Sequence, residues 1–109
     1  MLRTVQQRKE LCRECGVAKV ADLVGDACSL LVLRDLLERP RRFGELQTSL
    51  AGISSRTLTN KLKVLEREGL VVHTAPARSS SPAPYRLTKK GSAFQDVVEA
   101  MRRYGKKYL

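Results

Sequence analysis

Residues 52–72 read GISSRTLTNKLKVLEREGLVV, a pattern that predicts a capped amphipathic helix followed by a strand. The apolar residues recur at the helical spacing i, i+4 and i+7, at Leu58, Leu62 and Leu65. Serines at the front can accept a bond from a free backbone N–H, and Gly69 suits a left-handed C-cap. The opposite face is basic and carries one amide, at Arg56, Asn60, Lys63 and Arg67. Such a helix meets the requirements for reading the major groove of DNA.

The segment before this helix distinguishes it from an ordinary amphipathic surface helix, whose solvated face also carries Lys and Arg. Residues 43–50, FGELQTSL, predict a short helix with Phe43, Leu46 and Leu50 on one face. Four residues that include a glycine, 51–54, join the two helices. A helix, a short glycine-containing turn and a second helix form the helix-turn-helix pattern.

Length, charge and cysteine content narrow the class of protein. The chain has 109 residues, which is the size of one domain, and a formal charge of +10. That charge indicates a polyanionic partner. Nucleic acid is favoured over an anionic membrane, because no apolar run approaches the roughly 20 residues of a membrane span. The first seven residues show no signal-peptide core, and three cysteines favour reduced thiols, so we expect a cytoplasmic protein.

The remaining segments predict a mainly α fold with a small β-hairpin wing. Residues 1–16 are polar and basic and are expected to form an arm or an irregular helix that packs on something else, such as a second subunit. Helices are expected at 17–24 and, capped by Asp26, at 27–38, the latter as the core. Strands are expected at 70–74 and 85–87, joined by a loop rich in Pro and Ser that carries Arg78. Thr88 caps a last helix to about Tyr104, with an apolar stripe at Phe94, Val97, Val98 and Met101. We therefore predict a single winged helix-turn-helix domain over residues 1–109.

Several linked motifs resemble the HxlR-type winged helix-turn-helix transcriptional regulators. They are LVLRDLL at 31–37, PRRFGEL at 40–46, GIS at 52–54, TLT at 57–59, GLV at 69–71 and YRLTKKG at 85–91. The resemblance implies a homodimer whose N-terminal segment (1–16) and C-terminal helix (88–104) form the interface and whose reader helices bind a two-fold operator. It also places Cys15 where many members carry a cysteine, through which some of them sense reactive electrophiles or oxidants. Two positions depart from the family: Gly16 replaces a usual Pro, and GDAC at 25–28 replaces Gly-Gly-Lys-Trp.

The candidate DNA-binding residues have distinct expected roles. Asn60 can read adenine through a bidentate amide, and Arg56 and Lys63 suit phosphate or a guanine edge. Hydroxyls at the helix start suit a phosphate, whereas Lys61 points sideways and is weaker. The full set is Arg41, Arg42, Ser54, Ser55, Arg56, Thr57, Asn60, Lys61, Lys63 and, on the wing, Arg78.

The cysteines leave two interpretations open. Cys12-x-x-Cys15 looks like half of a zinc site, but such a site needs four ligands, and only Cys28 and the lone His73 remain. We therefore predict no metal and no cofactor. Basic residues beside Cys15 favour a reactive thiolate with Cys12 as a second thiol; the alternative is an inert, packed residue. Cys28 lies on an apolar helix and is expected in the core.

Two functional classes remain, and neither is an enzyme, because no catalytic constellation assembles around the single histidine. The first is a sequence-specific DNA-binding transcriptional regulator that binds double-stranded DNA as a homodimer, with an unknown effector or a thiol response. The second is a winged-helix module that binds protein or RNA. A protein-binding face would carry exposed apolar residues, and Val64 alone, near the edge, hints at this.

Overall fold

The computed structural model describes residues 15–73 and 83–109. The predictions for the N-terminal arm up to residue 14, including Cys12, and for the wing tip, including Arg78, lie outside these residues. The described chain is mainly helical with one antiparallel β-hairpin, so the predicted fold class is confirmed.

The elements follow in the predicted order. They are α1 (Gly16–Val24), α2 (Ala27–Glu38), α3 (Phe43–Ser49), α4 (Ser55–Arg67), β1 (Val71–His73), β2 (Tyr85–Leu87), α5 (Lys89–Ser92) and α6 (Gln95–Tyr108). The two strands pair antiparallel, with Val71 opposite Leu87 and His73 opposite Tyr85. Arg41 adds a one-residue bridge to Tyr85, so the backbone just before α3 is hydrogen-bonded to the wing.

The central helix α2 is the core, as its sequence predicts. It packs against α1, α4, α6 and β2, and its residues Val32 and Leu33 are completely buried. The leucine stripe of α4 is buried with them, at Leu58, Leu62 and Leu65. Each such side chain contributes about 1.5–3 kcal/mol by leaving water, so this contact is the main support of α4.

Both ends of α4 are closed by the residues that the sequence indicates. The Ser54 hydroxyl accepts a bond from the Thr57 amide at 3.1 Å. At the other end Gly69 has φ +78°, a backbone region that glycine occupies without strain. The Gly69 amide donates to Glu66 and the Leu70 amide to Leu65, the paired bonds of a Schellman C-cap. The chain therefore leaves α4 and enters β1 along a defined path.

The prediction of one last helix from Lys89 to Tyr104 is wrong in two respects. The helix is interrupted after Ser92, and its second part, α6, continues to Tyr108. Thr88 does cap the first part, since its hydroxyl accepts from the Gly91 amide at 3.1 Å. The interruption lets Gly91 pack against the Leu70 backbone while Phe94 turns into the core.

The apolar stripe of the last helix is divided between two surroundings. Phe94 and Val98 are buried in this chain's own core, so this part of the predicted stripe is not left for a partner. Further along, Met101, Tyr104 and Tyr108 are 49%, 62% and 62% exposed and follow one another at helical spacing. The uncovered part therefore lies nearer the C-terminus than the sequence indicates.

We expect Gly91→Ala to destabilise the fold, because a Cβ at this position would overlap the Leu70 carbonyl and lie 3.0 Å from a Leu87 methyl. Overpacking of this kind costs about 1–3 kcal/mol, or about 4–8 °C in Tm per kcal/mol. Thermal unfolding followed by circular dichroism measures it. Gly105→Ala is the matched control, since nothing lies within 4 Å of its Cβ position. Equal Tm values for the two variants would contradict the close packing at Gly91.

Candidate nucleic-acid interface

Four polar side chains of α4 project from the side opposite its buried leucines and form what we call the reader face. The reader face consists of Arg56, Asn60, Lys63 and Arg67, all of them exposed. Within residues 15–73 and 83–109, no acidic side chain forms an ion pair with any of the three cations. The predicted face is therefore brought together as a continuous, positively charged strip around one amide.

Hydroxyl groups surround the first turn of α4. The Ser54 hydroxyl donates to Thr57 Oγ1 at 2.9 Å and accepts from the Thr57 amide, so both predicted side chains belong to the cap. Ser55 is exposed beside them. The first amides of a helix lack intrahelical partners and carry a partial positive charge, so this end of α4 is suited to a phosphate oxygen.

Gln47 of α3 is a structural link that the sequence analysis missed. Its amide nitrogen donates to Ser55 Oγ at 2.9 Å and lies 3.5 Å from the Ile53 carbonyl. It therefore fastens the first helix of the motif to the start of the reader helix. No periodicity marks such a residue, because its partner is eight positions away across a turn.

Arg41 and Arg42 have different surroundings although they are adjacent in the chain. The Arg41 side chain is only 14% exposed and lies 3.3 Å from Glu38, so little of it remains for a phosphate. Arg42 is exposed just before α3, and its amide donates to Glu45 at 3.0 Å. That bond and the nearby Arg39 guanidinium lower the pKa of the Glu45 carboxyl. Arg42 is the better placed of the two predicted backbone contacts.

Lys61 is not on the reader face. It lies on the flank of α4, where its ammonium is 3.3 Å from Oδ2 of Asp26. Burial alone would raise the pKa of the Asp26 carboxyl, but bonds from Ser29 and the charge of Lys61 outweigh it and lower the pKa below its usual value. The sideways orientation expected for Lys61 is what the structure shows, and its partner is the acid that caps the start of α2.

The base of the wing adds cations close to the end of α4. Arg86 is exposed on β2, and Lys90 donates to the Glu68 carbonyl at 2.8 Å. Thr88 donates to the Gly69 carbonyl at 2.6 Å, so α5 and the C-cap of α4 are joined twice. Arg86 was missed in the sequence analysis because a single arginine in a strand gives no signal without knowledge of its orientation.

The cysteines and the histidine are separate in space. Cys15 is exposed at the start of α1, whereas Cys28 is partly buried against the core. Burial raises the pKa of the Cys28 thiol, and the Asp26 carboxylate raises it further. His73 stacks on Tyr85 with ring centres 4.0 Å apart, and its Nε2 lies 2.9 Å from the Ala83 carbonyl. In the part of the chain that the structure describes, no three potential metal ligands cluster.

The fold and this face define a winged helix-turn-helix protein of the type that regulates transcription. Residues 23–109 match the model of the HxlR-like helix-turn-helix family, and the chain belongs to that family. An uncharacterized HTH-type transcriptional regulator of Synechocystis sp. (strain ATCC 27184 / PCC 6803 / Kazusa), sll1512, is 36% identical over 95 residues, covering 87% of this chain and 70% of its own.

Solved structures give the same result. PA1607, a candidate transcription factor, superposes with a TM-score of 0.78 at 41% identity, over 87% of this chain and 66% of its own. The reduced form of YodB, a transcriptional regulator of Bacillus subtilis, superposes with a TM-score of 0.75 at 28% identity, over 86% of this chain and 93% of its own. These relatives are transcription regulators rather than enzymes. In the described ranges no helix has the length and apolarity needed to cross a membrane.

We expect Ser54→Ala to destabilise the protein by about 1 kcal/mol, because the Thr57 amide loses its acceptor at the start of α4. Chemical denaturation followed by circular dichroism measures the change. Ser55→Ala is the matched control: it removes a hydroxyl from the same turn that caps no amide and only accepts from Gln47. A loss for Ser54→Ala no larger than for Ser55→Ala would contradict the capping role.

Proposed function

We propose that this protein binds duplex DNA sequence-specifically as a homodimer on a two-fold operator and regulates transcription there. The observation that carries the proposal is the reader face, where Asn60 lies between exposed cations on a helix anchored by its opposite side. A regulator of this type acts where the DNA is, which in our proposal is the cytoplasm.

The reader face supplies both kinds of contact that operator binding needs. The Asn60 amide can donate to N7 and accept from N6 of adenine, and Arg56 or Lys63 can donate to guanine or to phosphate. Arg42 and the amides at the start of α4 supply backbone contacts, which fix the register but carry no sequence information. Arg86, exposed on the wing strand β2, is a further candidate for a phosphate contact. We place Arg41 and Lys61 in supporting roles, because each is paired with an acid.

Selection of bound sequences from random duplex DNA tests the proposal and yields the operator. We expect a motif with inverted half-sites about one helical turn apart, as a two-fold dimer requires. No enriched motif, or tighter binding to RNA than to duplex DNA in a parallel titration, would favour the alternative of a winged-helix protein- or RNA-interaction module. The charged reader face argues against the protein-binding form of that alternative, since Val64 at its edge is only partly exposed.

We expect Asn60→Ala to relax base preference at one position of each half-site and to cost about 1–3 kcal/mol on the selected operator. Arg42→Ala should instead weaken binding to selected and scrambled duplexes alike and reduce the salt dependence, because it removes a phosphate contact. Fluorescence anisotropy titrations with both duplexes measure these effects. Unchanged affinity and preference in Asn60→Ala would contradict the assignment of the reader face.

The homodimer would bury apolar surface that this chain leaves exposed. Met101, Tyr104 and Tyr108 form an exposed stripe on α6, and Val17 on α1 is 80% exposed. A contiguous apolar stripe of this kind is usually buried by a partner, and a two-fold contact lets the same stripe cover itself. The proposed interface therefore consists of α6 and the N-terminal segment, residues 1–16, whose described end adjoins α1.

We expect sedimentation equilibrium at micromolar concentration to give twice the mass of the chain. Tyr104→Asp should shift this equilibrium toward the monomer, because it places a carboxylate in the apolar stripe. Lys106→Asp is the control, since it introduces the same carboxylate on the opposite side of α6. A monomer mass for the wild-type protein would rule out the dimer.

A thiol response is the second part of the proposal. Cys15 is exposed at the first residue before α1, next to the proposed interface. The relative YodB has solved quinone-bound and diamide-treated forms, at 26% and 28% identity to this chain. Modification of Cys15, with Cys12 as a second thiol, would then alter how the two reader helices are spaced.

We expect diamide to lower operator affinity in the wild-type protein and not in Cys15→Ser. Anisotropy titrations before and after treatment measure the change, and addition of a reducing thiol should restore binding. Cys28→Ser serves as the control for the partly buried thiol, whose raised pKa disfavours the reactive thiolate. A loss of binding that persists in Cys15→Ser would exclude Cys15 as the responsive residue.

A further inference from the structure

A polar contact ties the start of α2 to the flank of the reader helix. The Lys61 ammonium lies 3.3 Å from Oδ2 of Asp26, with the two side chains 35% and 40% exposed. Apart from this contact, α2 and α4 meet through apolar side chains. The pair stands at the rim of that apolar contact, where both groups still reach solvent.

The carboxylate is the fixed member of the pair. Oδ1 of Asp26 accepts from the Ser29 amide at 2.9 Å, and Oδ2 accepts from the Ser29 hydroxyl at 3.1 Å. Ser29 itself is only 2% exposed, so the acid is held against a buried part of α2. Burial alone would raise the pKa of the Asp26 carboxyl, but these bonds and Lys61 lower it below its usual value and so favour the charged form. The long, flexible lysine is therefore the group that adapts to the acid.

On the proposed docking of α4 in the major groove, Lys61 lies on a flank of the helix from which a lysine could reach the DNA backbone. It is adjacent to Asn60 in sequence and about 100° from it around the helix. With the reader face in the major groove, that flank faces a sugar–phosphate backbone, and a four-carbon stem can extend toward it. Pairing with Asp26 directs the ammonium toward α2 instead and neutralises its charge.

We infer that Asp26 is an affinity-determining residue, which holds Lys61 away from the DNA backbone and so limits sequence-independent binding. The inference rests on the proposed function. A lysine–phosphate contact strengthens binding to every sequence, because it reads no base. Without this lysine–phosphate contact, each protomer binds the large excess of non-operator DNA more weakly. The reader face still contacts the bases of the operator.

Anisotropy titrations of Asp26→Asn on selected and scrambled duplexes, between about 50 and 200 mM salt, test the inference. Asn is as good an N-cap as Asp, so the bond to the Ser29 amide is kept while the charge is removed. We expect affinity to rise roughly five-fold on both duplexes and the salt dependence to steepen by about 0.9 per protomer, the value for one added phosphate contact. No change in either quantity would overturn the inference.

A double-mutant cycle separates release of Lys61 from a general change in charge. In a Lys61→Gln background, Asp26→Asn should no longer raise affinity or steepen the salt dependence. Asp26→Ser, a capping residue too short to reach Lys61, should reproduce the effect in the wild-type background. Asp96→Asn removes one exposed acid from α6 and should have a smaller effect. An equal rise in the Lys61→Gln background, or with Asp96→Asn, would overturn the inference.

A measurement without DNA tests whether Asp26 and Lys61 are paired in solution. Pulse acetylation followed by mass spectrometry should modify Lys61 faster in Asp26→Asn than in the wild-type protein, with exposed Lys63 as the internal reference. An unchanged Lys61 rate would overturn the inference. Failure of the wild-type protein to bind any selected duplex would overturn the proposed function and the inference together. Duplex binding by the wild-type protein that does not respond to Asp26→Asn would overturn the inference alone.

Discussion

The burial of three leucines against the central helix is the constraint on which the rest of the structure depends. Leu58, Leu62 and Leu65 are at most 1% exposed, and they leave α4 a single way to lie on α2. Once that side is buried, the geometry of a helix determines which side chains face outward. Asn60 and its cationic neighbours thus owe their orientation to residues that never meet DNA, and the caps at both ends fix the length of the presented surface.

The total positive charge of this molecule exceeds the positive charge that is free to contact a polyanion. The formal charge of +10 points to a polyanion, yet several arginines and lysines are already engaged with acids. Arg34 pairs with Asp35, Arg39 with Glu45, and Arg41 with Glu38. In the described chain the cations of the reader face form no such ion pair, and neither do exposed cations elsewhere, such as Arg42, Arg86 and Lys106. The distribution of acids therefore shapes the surface as much as the distribution of bases does.

Local signals predicted the fold well, and contacts between distant residues explain the differences. The bounds of α2 and the caps at Ser54 and Thr88 follow from spacing and from residues within one turn. The break after Ser92 does not, because it depends on how closely Gly91 approaches Leu70, more than twenty positions earlier. The bond from Gln47 to Ser55 and the pairing of Lys61 with Asp26 were not predicted for the same reason. Arg56, Asn60 and Lys63 do lie on one exposed face of α4, whereas Arg41 and Lys61 are paired with acids.

The two-way bond between Arg41 and Tyr85 has a consequence for how this domain tolerates change. Each residue donates its amide to the other's carbonyl, at 3.0 and 2.7 Å, and His73 closes the hairpin on Ala83. The base of the wing is thereby secured independently of the connection across residues 74–82. Because the entropy of closing a loop grows only slowly with its length, insertions or deletions there cost little. The length of the wing can therefore vary among related proteins without a change in the orientation of the reader helix.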